Sequence, residues 1–209
     1  MVQPLSYLAD RLKIESVTWS VQRNDELSGS GDGRLWQAEL APPLWTAEIK
    51  LAADYAANAE GVAALIRSLR GAQDPFLLYN PMRRHPIADP FGTILGSASV
   101  SINSLGSSTN ELSLKGLPAG YALTVGDKLQ IMAPKTQFVE IVDTIAASGS
   151  GVTSVFRVFP ALRAGTAVNM AVQLVNPACA MVISTGSHNP GTTTGNITTG
   201  ASFKAIEKR

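Results

Sequence analysis

The stretch that most limits what this chain can fold into is residues 112–174. It opens on a turn, Gly116-Leu117-Pro118-Ala119-Gly120, and runs into Val125-Gly126-Asp127-Lys128-Leu129-Gln130-Ile131. Two β-like runs follow, 138–145 and 153–159; after Pro160-Ala161-Leu162-Arg163-Ala164-Gly165 comes a last one, 168–174. Leu129 and Ile131 alternate with Lys128 and Gln130, and Val168, Met170, Val172 and Leu174 with Asn169, Ala171 and Gln173, the period of two that marks a strand with one buried face. In 154–159 apolar residues fall on both phases, which predicts a strand covered on both faces. About five strands in roughly 65 residues, separated by turns, fit a small OB-like barrel. The segments on either side are also β-like and short, so the reading is an insertion: residues 94–174 form a barrel set into an outer β layer made by 1–93 and 175–209.

Before the module, Tyr7, Leu8, Arg11 and Leu12 sit at helical spacing in a short helix or arm. Val17, Trp19 and Val21 alternate with polar residues as a half-buried strand, and Ser28–Gly33 reads as a turn. Residues 35–40 form a further strand carrying Trp36, Pro42-Pro43 ends it, and Trp45, Ala47, Ile49 and Leu51 begin a third alternating run. Three tryptophans on neighbouring strands are expected to face one core. One helix is predicted over 56–70, because Val62, Leu65, Ile66 and Leu69 form one stripe. Asp54 or Asn58 is placed to cap its start, and Gly71 to end it. After the short strand 76–79 the prolines of 81–90 impose an extended loop. Beyond the module, 180–184 and 201–207 read as strands, with a Gly/Thr/Asn-rich loop or hairpin arm at 185–200 between them.

The residues argue against most chemistry. His85 and His188 stand in separate loops without a Cys, His or carboxylate at metal-ligand spacing. Gly29-Ser30-Gly31-Asp32-Gly33 lacks the Lys and Ser/Thr of a phosphate loop, and no Gly-x-Ser-x-Gly elbow occurs. Asp25 and Glu26 read as loop charges, Arg83-Arg84-His85 as a solvated or interface loop, and Cys179, in an apolar run, as a buried thiol. No catalytic, cofactor-binding or metal residues are assigned and no cofactor is expected. The Asn196-Ile197-Thr198 sequon is read as idle, since the N-terminus shows no apolar export leader and the chain is taken to fold in a reducing cytoplasm. A formal charge of +1 makes no electrostatic case for nucleic acid or a membrane surface. Of the 209 residues, 16% are charged against roughly 25% in an average soluble protein, which points to a surface covered by assembly.

Three segments together resemble the distal tail proteins of siphophage-type tailed phages and prophages. They are Phe76-Leu77-Leu78-Tyr79-Asn80-Pro81 with Pro86 and Asp89-Pro90, Gly116–Tyr121 leading to Gly126-Asp127, and Val158-Phe159-Pro160-Ala161-Leu162-Arg163-Ala164-Gly165. The resemblance spans most of 35–206. It implies a structural virion protein without enzymatic activity. A belt-like β-sandwich with one helix would form a hexameric ring at the tail tip, contacting the tail tube protein and the baseplate hub. A second OB- or galectin-like barrel would project outward. The alternative from the residues is a carbohydrate-binding or receptor-binding β module of a tail, which calls for exposed Trp or Tyr on a concave face.

Overall fold

The computed structural model describes residues 2–29, 31–132 and 136–209. It is mainly β, with 45% of residues in strands and 9% helical. In chain order the elements are β1 (Ile14–Gly29), β2 (Leu35–Leu51), β3 (Asp54–Tyr55), α1 (Ala56–Ser68), β4 (Phe76–Tyr79), β5 (Val100–Leu105), β6 (Glu111–Lys115), β7 (Ala122–Leu123), β8 (Lys128–Ile131), β9 (Gln137–Ile141), β10 (Ile145–Ala146), β11 (Phe156–Phe159), β12 (Ala171–Gln173), β13 (Ala178–Ile183), β14 (Thr192–Thr194), β15 (Ile197–Thr199) and β16 (Ser202–Glu207). Short 3-10 turns at Leu5–Tyr7 and Ala9–Arg11 precede them and bury Leu8 and Ala9.

The chain divides into two compact units. Unit one holds the residues up to Phe76 together with Met181–Lys208, and unit two holds Leu77–Ala180 with Arg209. Residues 77–93 and 175–180 therefore share a unit with the barrel, whose borders the sequence reading sets at 94 and 174. The chain leaves unit one within β4 and returns within β13, which is buried at every position.

In unit one, β1, β2, β16 and β13 lie side by side in that order. Trp45, Ala47 and Ile49 of β2 and Phe203 and Ala205 of β16 are buried, on the phase that alternation assigns to the core. Phe76 meets Phe203 edge to face, with ring centroids 6.5 Å apart. Residues 185–200 form an ordered hairpin arm: β14 and β15 pair with each other, and β15 continues the pairing to β3. Helix α1 buries Ala63 and Ile66, and Leu69 just past its end. Neither expected side chain caps it. Its first amide, Ala56, donates to the Asn196 carbonyl at 3.0 Å, while Asp54 accepts from Tyr55, Asn58 and Lys13. Arg70 and Gly71 both adopt left-handed backbone where the helix stops.

In unit two, β11-β6-β5-β12-β8-β9 close into a six-stranded barrel. Ile102, Leu112, Leu114, Leu129, Ile131 and Ile141 fill it from four strands, Val172 from a fifth, and Phe156 and Val158 complete it from the sixth. The other phase of 154–159 is not covered: Val155 and Arg157 are exposed, and Arg157 is clamped by Asp143 at 2.6 Å, a surface ion pair. Two buried carboxylates organise the approach to the barrel. Asp89 accepts from the amides of Ile94 and Leu95 and from the Tyr121 hydroxyl. Asp127 accepts from the amides of Ile87 and Thr124. Burial raises the Asp89 carboxyl, and the amides facing it more than offset that, so it stays below the usual carboxylate value. These bonds explain why the Pro-rich loop belongs with the barrel.

Gly151 has φ +75°, and a Cβ there would stand 2.2 Å from the Leu117 carbonyl oxygen, so only glycine fits. Gly151→Ala is expected to lower stability by about 2 kcal/mol or more, read as a fall in the denaturation midpoint with an unchanged slope.

Candidate functional site

No two of the polar residues that stand out in the sequence come together as a site. His85 lies in unit two beside Gly92, whose Cβ would meet the imidazole at 2.7 Å, and His188 lies in unit one. Arg84 packs over the Tyr79 ring, 5.5 Å from its centroid, and bonds its hydroxyl. Among the described residues no three of His, Cys, Asp and Glu are grouped to hold a metal. Cys179 is buried in β13. Asn196 is exposed in the β14–β15 turn.

What unit one does present is a ribbon. β2 is 17 residues long, but β16 pairs only with 46–50 of it. At the next position Trp45 donates its amide to the buried Glu207 carboxylate at 3.1 Å, so a side chain takes the place of the ladder. Past Trp45, β2 keeps β1 as its partner, and the register runs from Val21↔Trp45 to Gly29↔Leu35. The eight residue steps from Val21 to Gly29 carry the ribbon roughly 25 Å beyond that point. Pro42-Pro43 does not end the strand. It sits where the register shifts between Gln22 and Asn24, so the missing N–H groups fall at an irregularity, and the Asn24 side chain bonds the Pro42 carbonyl instead. The expected turn at 28–33 includes Ser30, which lies outside the described residues; Ser28 and Gly29 belong to β1.

The three tryptophans accordingly do not share a core. Trp19 and Trp45 meet edge to face at 6.4 Å, but Trp36 is 66% exposed near the tip. Leu27, Leu35 and Leu40 are exposed with it. Pairing places Leu27 and Leu35 on one face of the ribbon and Trp36 with Ala38 on the other. Burying a side chain of this size is worth about 1.5–3 kcal/mol. Alternation alone does not reveal this exposure; the signal available was apolar residues on both phases of 35–40 beside a Gly/Ser/Asp turn.

At the opposite end of β1, where Ile14 pairs with Leu51, lies a groove of about 420 Å³ along α1. Ala57, Asn58, Gly61, Val62 and Leu65 of the helix line it together with Arg11, Lys13 and Asp54; Ala57 and Gly61 are exposed, and Lys13 stands 2.7 Å from Asp54. Next to it a smaller pocket is lined by Val62, Ala63, Ile66, His188 and Pro190. Burial, and then the Arg67 charge, hold the His188 imidazole below its ordinary value of 6.5. A histidine of depressed pKa binds its proton better when the chain is unfolded. It therefore subtracts nothing above pH 6.5 and subtracts stability as pH falls below it. Asp143, held at about 2 by Arg157, loses its contribution only as pH falls from 3.8 toward that value. His188→Gln should therefore flatten the decline of Tm between about pH 6.5 and 5 in calorimetry; an equal decline in both chains would assign it to other groups.

No protein-family model matches this chain, and no curated protein matches it in sequence.

Proposed function

We propose that this chain is a structural virion protein of a phage tail tip, whose copies form a ring connecting the tail tube to the baseplate hub. The observation that carries this reading is the ribbon formed by 22–29 and 35–41, which sets large apolar side chains in solvent on both faces, where a monomer gains no burial from them. The low share of charged residues and the three distal-tail-like segments support it further. In this reading unit one is the belt-like β-sandwich domain that makes the ring, which is hexameric, and the closed barrel of unit two is an OB- or galectin-like accessory module. The work of the protein is adhesion between copies and to the tail tube and hub proteins, not catalysis.

Cyclic closure requires head-to-tail contacts. Native mass spectrometry and negative-stain images of the purified chain at rising concentration should show closed rings of one stoichiometry. A strict monomer at the highest concentration, together with virion tails in which no such ring is seen, would rule the reading out.

A further inference from the structure

The geometry points to the joint of that ring: the tip of the ribbon of one copy docks in the α1 groove of the next copy, an inference that rests on the ring reading above. Three observations carry it. The first is reach. The groove opens at the Ile14–Leu51 end of the β1–β2 ladder and the apolar tip lies at the Gly29–Leu35 end. Roughly 50 Å of strand separate them, so a copy cannot fill its own groove with its own tip. Two patches at opposite ends of one ribbon join different molecules head to tail.

The second is Gly61. It stands inside α1, where glycine is the least favourable residue after proline. A Cβ at this position would meet nothing within 4 Å, and its backbone is ordinary helix, so the fold of one chain gives no reason for glycine here. A bare, exposed backbone in the lining of a groove lets a second chain approach closely. The third is charge. The ribbon carries Asp25, Glu26, Asp32 and Glu39 against Arg23 and Arg34, whereas the groove carries Arg11 and Lys13 against Asp54. Asp25 pairs with Arg23, Asp32 with Arg34 and Lys13 with Asp54, so the charges left to meet across the joint are Glu26 and Glu39 of the ribbon and Arg11 of the groove.

The full-length chain is tested as Trp36→Ser and as Gly61→Leu, by native mass spectrometry and thermal melting. Each variant should weaken ring formation about tenfold or more while Tm stays at the wild-type value or, for Gly61→Leu, rises. The Gln37→Cys chain mixed with the Ala57→Cys chain should form disulfide-linked dimers on mild oxidation, and the Gln37→Cys chain alone should not. Rings that persist in both variants overturn the docking and leave the ring reading standing. Rapid dimerisation of the Gln37→Cys chain alone also overturns it, because ribbons then pair with each other. A wild-type chain that is monomeric throughout, with virion tails that show no ring, removes the ring reading and this joint with it.

Discussion

A strand of 17 residues cannot be covered by a neighbour of six, and this mismatch between β2 and β16 governs unit one. Where β16 ends, the backbone donor of Trp45 still needs an acceptor, and the Glu207 carboxylate supplies it from within the buried layer. On one side of that bond lies a conventional half-buried sheet. On the other, only β1 accompanies β2, and a two-stranded ribbon by itself is marginal in water. The apolar side chains near its end stand in solvent, where they gain cross-strand contact but not burial.

Unit two answers the same problem of strand edges by closure. Six strands joined in a ring leave no row of unpaired backbone groups, so the barrel offers little for another chain to extend. Its connections are fixed from inside: Asp89 and Asp127 take up the amides of two irregular segments, and glycines at Gly116 and Gly151 let backbone pass within contact of carbonyls that any Cβ would strike. What unit two leaves in solvent is side chains rather than strand edges, Phe91, Met82 and Ile94 among them.

Much of this was legible in the residues. Period-two alternation located the core faces of β1, β2 and β16, and the stripe through Ile66 and Leu69 located α1; in β8 it found Leu129 and Ile131 but not the burial of Gln130, which accepts the Ala178 amide. The barrel followed from turn spacing. Three things were not legible. The alternation in 35–40 is that of a strand, but periodicity says which residues share a face and not whether anything lies against that face, so Trp36 was assigned to a core. Pro42-Pro43 looked like a boundary, since the irregularity that tolerates it depends on how 22–25 of the partner strand are spaced. The cap of α1 came from Asn196, 140 positions away, which no local pattern can announce.

The same diproline has a mechanical consequence. Two successive residues without N–H groups stand at the foot of the ribbon, opposite a register shift, so the ladder there is already short of bonds. Bending at that point meets a ladder that two register shifts already interrupt. In a ring joined as proposed above, any rotation at that point would fall where the ladder is thinnest, and the paired strands beyond it would move together.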